Sequence, residues 1–158
     1  TIRAYKVTPS SLLTLLTSKH LMLLTVGFIT FSIVYLPSVG FSGYLLALLV
    51  IIPTILIGSS LGVMLGAFFD NPMGAIGWVF LFMMIFGLPG VSLFAPVFSP
   101  EWLKFIPSYY TLFGLDAAIF PDGYSNVLWI SVGVLFGMSA VLLPLSSWIF
   151  TNKLRKEF

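Results

Sequence analysis

The sequence predicts an all-α integral membrane protein, on the strength of its composition and of four long apolar segments. Of the 158 residues, 59% are hydrophobic and only 8% are charged, whereas soluble domains carry about 25% charged residues. The mean hydropathy is +1.10. A helix that crosses a bilayer needs about 20 apolar residues, and four segments meet that length. An ordinary soluble globular domain is therefore excluded.

The apolar segments divide the chain into spans and connections. The predicted transmembrane helices are residues 21–39, 43–68, 73–97 and 127–150. We treat residues 1–158 as a single transmembrane domain fragment, and we expect a longer parent protein because the chain opens on Thr1 without an initiator Met. A signal peptide over residues 1–40 is disfavoured, since the apolar run is long, no Ala-x-Ala cleavage site follows it and three more spans come after it.

Charge distribution predicts the orientation of the spans. Basic residues flank the first span and the last one: Arg3, Lys6, Lys19, Lys153, Arg155 and Lys156. Lys104 is the only Lys or Arg between Lys19 and Lys153. Because cytoplasmic flanks are enriched in Lys and Arg, we predict a multi-pass protein of the plasma (inner) membrane with both ends cytoplasmic. The basic tail 151–158 is then inside, and the connection 98–126 is outside. A net charge of +2 is too small to indicate a nucleic-acid partner.

The segment before the first span, residues 8–19, has the pattern of a short amphipathic helix. Thr8 occupies an N-cap position and Pro9 the first helical turn, where both residue types are favoured. Leucines then fall on one side, and Thr and Ser on the other. We predict a helix on the cytoplasmic surface, which is either a solvated lead-in to the first span or a docking element for a cytoplasmic partner.

Glycines repeat every four residues in two of the spans. Gly58, Gly62 and Gly66 form one stripe, and Gly133 and Gly137 form another. Such stripes let helix backbones approach closely in lipid, where close packing drives helix association. The two stripes predict helix packing, either inside this subunit or at a seam with a second copy.

Several kinds of chemistry have no residues to support them. The sequence has no Cys, and His20 is its one His, so no metal site is predicted. No Gly-x-x-x-x-Gly-Lys-Ser/Thr phosphate loop occurs, and no span interior carries an unambiguous charge, which would cost about 2.5–3.5 kcal/mol. We predict a chain that is not an enzyme and has no cofactor of its own. Asp116, set among apolar residues, either caps or pairs within the outer connection or faces a translocation path.

The outer connection has the pattern of short helices rather than of a loose loop. Gly87–Gly90, "GLPG", predicts that the third span kinks or ends there. Pro100 is expected to start a short helix, and Pro107 a second one that runs towards Phe120, because Pro is favoured in first turns. Since the connection 98–126 is itself apolar, we predict two re-entrant helices that dip partway into the membrane from outside.

Four motifs, in their order along the chain, resemble the membrane domains of type-2 ABC exporters. The segment "YKVTPSSLLTLLTSK" precedes the first span, as in the family. Its matching residues are Lys6, Thr8, Pro9, Ser11 and Lys19. "LPG", "PEWL" and "PSYY" then follow at the end of the third span and in the outer connection. The chain departs from the family at Ile106, where an asparagine is frequent.

This resemblance covers essentially the whole chain and implies a function. The four spans would correspond to the third to sixth helices of a six-helix permease domain. Such a permease moves drug, lipid-linked or polysaccharide cargo out of a bacterial cell by alternating access. Its partners would be a second permease half and two cytoplasmic subunits that bind ATP and Mg. Residues 8–19 would be the coupling helix that contacts those subunits. The outer gate would be formed by Pro100, Trp102, Pro107, Tyr109, Tyr110 and Asp116.

Two other functions remain open at the level of the sequence. The chain could be a membrane assembly or immunity protein that transports nothing and binds a partner within the bilayer. It could also be a fragment of a secondary transporter, which predicts a membrane-embedded acidic residue upstream of Thr1.

Overall fold

The computed structural model describes residues 12–69, 72–95, 97, 99–120 and 125–156. These ranges contain five α-helices and one 3₁₀ helix, η1, and no strand. The helices are α1 (Leu12–Val39), α2 (Tyr44–Phe68), α3 (Pro72–Phe94), η1 (Glu101–Phe105), α4 (Pro107–Ile119) and α5 (Ser125–Lys156). Helices α1, α2, α3 and α5 are long and apolar enough to cross a membrane. The prediction of an all-α protein with four membrane-length helices is confirmed.

A tight turn of four residues joins α1 to α2 as an antiparallel pair. Gly40 and Gly43 have φ values of 79° and 63°, in the left-handed region that only glycine enters without strain. The Gly40 N–H donates to the Leu36 carbonyl at 2.9 Å, which closes the C-terminus of α1. The Tyr35 hydroxyl donates to the Ser42 carbonyl at 2.6 Å. We call this end of the bundle the turn end, and the end where α1 begins and α5 finishes the terminal end.

Helix α2 lies at the centre of the bundle. It packs mainly on α5 and also contacts α1 and α4. One buried cluster joins these helices, namely Tyr35, Ala47, Val50, Ile57, Ala117, Ala118, Leu128 and Leu135. A smaller cluster joins α1, α2 and α5 at the terminal end and consists of Leu16, Val63, Ala67 and Phe150. Both clusters hold α2 between its neighbours.

Helix α1 begins earlier than the predicted first span. Residues 12–19 form the first turns of α1 and continue into the span without a break, so this part of the predicted amphipathic helix is not a separate element. Residues 12–19 nevertheless have one buried apolar side and one exposed polar side. Leu16 is buried, whereas Thr14, Thr17, Ser18 and Lys19 are exposed. Residues 8–11 lie outside the described residues.

Helices α3 and α5 also differ from the expected boundaries. Helix α3 runs through Pro89 to Phe94, so it does not end at "GLPG". Helix α5 continues to Lys156 and includes the described part of the predicted tail. Among the described elements, α4 is the one that α3 packs against extensively. Most of the α3 surface is exposed and apolar, as expected of a helix that faces lipid or other membrane helices.

Candidate functional site

The connection between α3 and α5 is folded into η1 and α4. Pro100 is extended (φ −65°, ψ 142°), and η1 follows it with a Leu103 side chain that is fully buried. Trp102 is about half exposed, at 48%. The Lys104 Nζ lies 3.7 Å from the Glu101 Oε1 on the exposed side of η1. The two charges therefore sit at the surface while Leu103 anchors the short helix.

Proline chemistry sets the start of α4. Ile106 is extended (φ −89°, ψ 124°), the conformation that a following proline favours. Pro107 then occupies the first turn, where its missing N–H is not needed. The helix continues for 13 residues to Ile119. The prediction that Pro107 starts a helix running towards Phe120 is confirmed.

A hydroxyl group at the start of α4 bonds to α3 next to a proline. The Ser108 Oγ donates to the Phe86 carbonyl at 2.6 Å. Phe86 lies three residues before Pro89 in the same turn of α3. The missing N–H of Pro89 leaves the carbonyl four residues earlier, that of Ile85, without its helical donor, so the Ser108 bond is made to the carbonyl next to the freed one. This bond ties α4 to the proline turn of α3.

A second hydroxyl contact joins α4 to α2, one turn further along α4. The Thr111 Oγ1 lies 2.9 Å from the Thr54 Oγ1. The Thr54 Oγ1 itself donates to the Val50 carbonyl at 2.8 Å, and Val50 lies three residues before Pro53. Polar side chains thus attach α4 to the proline-bearing turns of two spans.

Small residues let α4 lie close against α2 and α5. Gly114, Ala117 and Ala118 are buried on one face of α4. A Cβ built on Gly114 would stand 2.9 Å from the Ser131 Cβ and 3.2 Å from both methyl groups of Val50. These distances leave no room for any side chain larger than hydrogen. At the turn end, the Ala118 carbonyl lies directly against Gly43.

The opposite side of α4 carries aromatic rings and an acid. The Tyr109 ring centroid lies 4.4 Å from that of Phe113 and 5.4 Å from that of Tyr110. Asp116 is seven residues after Tyr109, which places the two on one helix face. Within the described part of the chain, the Asp116 carboxylate has no hydrogen-bond or ion-pair partner. The structure therefore places Tyr109 and Asp116 on one face of α4, whereas Tyr110 packs against the buried cluster. Pro107 begins α4, and Pro100 and Trp102 belong to the adjoining η1 segment.

The terminal end presents a second set of predicted residues. Lys19 lies on α1 with its Nζ 5.2 Å from the centroid of the Phe150 ring on α5. The neighbouring His20 Nδ1 is hydrogen-bonded to the Ser59 Oγ of α2 at 2.8 Å, and the His20 Nε2 is buried without a partner among the described residues. The other residues predicted to contact the ATP-binding subunits lie outside the described residues, and these are Lys6, Thr8, Pro9 and Ser11.

The glycine stripes do not pack within the described bundle. A Cβ built on any of five glycines would meet no heavy atom within 4 Å of a neighbouring element, namely Gly58, Gly62, Gly66, Gly133 and Gly137. The described helices therefore leave both stripes uncovered, and helix packing at these glycines, inside the subunit or against a second copy, stays a prediction. Four-residue spacing shows which residues share a face, but every face of these helices is apolar, so spacing does not show which face is buried.

Sequence reasoning missed the residues that hold α4 in place. Ser108, Thr111 and Thr54 are ordinary hydroxyl residues, and no spacing rule identified them as contacts. Pro53 and Pro89 lie in the turns of α2 and α3 where these bonds are made, but no sequence spacing relates those turns to α4. Among the described residues, no group of three or more His, Cys, Asp or Glu side chains is arranged to hold a metal ion.

Comparison with known proteins identifies the family to which the chain belongs. A family profile described as "ABC-2 family transporter protein" matches residues 1–148. No curated protein and no solved structure shows a significant match. The matched range covers α1, α2, α3, η1 and α4 and most of α5. The chain therefore belongs to the ABC-2 transporter family and is a multi-pass membrane domain of a transport permease.

Proposed function

We propose that this permease works as an exporter driven by ATP that partner subunits hydrolyse in the cytoplasm. The observation that carries the proposal is the family match over residues 1–148, which implies association with ATP-binding subunits. Under this proposal the four helices correspond to the third to sixth of a six-helix permease. A second permease half completes the transport pathway, and the cargo is a drug, lipid-linked molecule or polysaccharide.

The terminal end faces the cytoplasm in this proposal. Basic residues flank α1 and α5 there, which supports that orientation through the positive-inside rule. Residues 8–19 serve as the coupling segment that contacts the ATP-binding subunits. The described part of this segment is continuous with α1. A displacement of this segment would therefore be transmitted directly to the membrane-spanning part of α1, since no flexible joint separates the segment from the span.

The turn end forms the outer gate. Helices η1 and α4 enter the membrane from outside and turn back, and the apolar surface of α4 and its burial against α2 support this arrangement. Ser108 and Thr111 attach α4 to α3 and α2. Rearrangement of these spans during ATP hydrolysis then moves α4, and with it the Tyr109 and Asp116 face. That face lines the outer end of the pathway.

Co-purification and energy depletion test the proposed function together. The tagged full-length protein is recovered from its source cells in a mild detergent. We expect an ATP-binding subunit to co-purify with it in stoichiometric amounts, and export to stop when cellular ATP is depleted. Absence of such a subunit, together with transport that continues without ATP, would contradict the proposal. Loss of transport only when the proton gradient collapses would instead support a secondary transporter.

A further inference from the structure

An apolar groove with a lysine at its rim opens at the terminal end of the bundle. It lies between α1, α2 and α5 and has a volume of about 440 Å³. Met22 and Leu23 line it from α1, Gly62 and Gly66 from α2, and Phe150 from α5, with Lys19 beside them. The groove is thus amphipathic, because one cation accompanies an otherwise apolar lining.

The charge of Lys19 has no counter-ion in the described part of the chain. Its ammonium group lies over the Phe150 ring, and it forms no ion pair there. The two acidic residues that the structure describes, Glu101 and Asp116, both belong to the connection at the other end of the bundle. A cation near the membrane surface attracts anionic head groups.

The floor of the groove is open because of the glycine stripe on α2. Nothing lies within 4 Å of a Cβ built on Gly62 or Gly66, so the helix backbone is uncovered along one full turn. A flexible hydrocarbon chain can follow such a smooth apolar surface, whereas leucine side chains at these positions would fill it. The glycine stripe of α2, which no other described helix covers, is therefore open to a hydrocarbon chain.

We propose that this groove binds one anionic phospholipid of the leaflet at the terminal end. The phosphate pairs with the Lys19 Nζ, and one acyl chain lies along Gly62 and Gly66. The long aliphatic stem of Lys19 allows its charge to reach the head-group level while the stem stays on apolar surface. This inference does not depend on an ATP-binding partner. It assigns Lys19 a role separate from motor contact.

Native mass spectrometry of the full-length protein tests the proposal. The protein is purified in a mild detergent and titrated separately with dioleoyl phosphatidylglycerol and dioleoyl phosphatidylcholine. We expect one tightly bound phosphatidylglycerol, and a preference for it over phosphatidylcholine of about fivefold, the effect of one lysine at a membrane surface. Lys19→Gln should abolish the preference. Lys104→Gln, at the other end of the bundle, should retain it.

A second pair of variants tests the acyl-chain part of the site. Gly62→Leu should reduce phospholipid retention severalfold, because the side chain occupies the groove. Gly133→Leu is the matched control, since Gly133 also has open space around its Cβ but does not line the groove, and it should bind normally. Equal retention of both lipids, an unchanged preference in Lys19→Gln, or full displacement by glycerol phosphate lacking acyl chains would each overturn the proposal.

Discussion

Gly114 provides the sharpest test of how α4 is held against the bundle. In Gly114→Ala the new Cβ would stand 2.9 Å from the Ser131 Cβ, and ordinary van der Waals contact begins at 3.4 Å. The contact is therefore too close by about 0.5 Å. Because Val50 crowds the same point from α2 at 3.2 Å, α4 cannot relieve the clash by moving along α5 alone. It has to move away from both helices.

The magnitude follows from two opposing effects. Replacing glycine by alanine inside a helix normally stabilises it by about 0.8–1.0 kcal/mol. Overpacking a buried contact costs about 1–3 kcal/mol. Gly133→Ala is the matched control, because it makes the same change in α5 with no atom within 4 Å. We expect Gly114→Ala to be less stable than Gly133→Ala by about 1–3 kcal/mol.

Reversible unfolding of the full-length protein in mixed micelles measures this difference. Adding Ser131→Gly removes the closest atom, so the double variant should recover part of the loss beyond the sum of the single changes. If Gly114→Ala were as stable as Gly133→Ala, the close approach of α4 to α5 would be refuted. If adding Ser131→Gly did not reduce the loss of stability in Gly114→Ala, a contact other than the one with Ser131 would be its cause.

Three further predictions concern the anchors and the orientation. Ser108→Ala removes the side-chain donor to the Phe86 carbonyl and should lower the free energy of unfolding by about 0.5–1.5 kcal/mol in the same assay. An unchanged stability would mean that the bond contributes nothing. Tyr35→Phe removes the hydroxyl that donates to the Ser42 carbonyl in the α1–α2 turn and should lower the free energy of unfolding by about 0.5–1.5 kcal/mol. Faster amide hydrogen exchange in that turn is the independent measurement. Because the sequence has no Cys, single cysteines report topology cleanly: Lys104→Cys should react with an impermeant thiol reagent outside intact cells, Ser18→Cys should not, and the reverse pattern would overturn the orientation.

Much of the architecture followed from length and local chemistry. A long apolar run has one stable conformation in a bilayer, the helix, because its backbone groups must be satisfied internally. The four membrane-length helices were therefore predictable. Pro107 likewise marked the start of α4 through its fixed φ and its effect on Ile106. These are properties of residues and their immediate neighbours, which the sequence shows directly.

Helix contacts were less predictable, for a physical reason. In a soluble helix the polar face shows which side is exposed, but a membrane helix is apolar all round, so its sequence contains no such contrast. The Gly58 stripe, which its spacing predicts to pack, is uncovered among the described helices, whereas Gly114 lies close against Ser131. The hydroxyl bond from Ser108 to α3 was also missed, because it joins elements that sequence spacing does not relate.

Site-specific photocrosslinking along α1 tests the central claim, that this permease is coupled to ATP-binding subunits at its terminal end. Ser18 and Ser38 are both exposed serines of α1, close to opposite ends of the helix. A photoreactive residue is placed at each position in turn in the full-length protein, and crosslinked products are identified from intact source cells. We expect position 18 to capture an ATP-binding subunit and position 38 to capture none. Capture from position 38 alone, or from neither position, would contradict it.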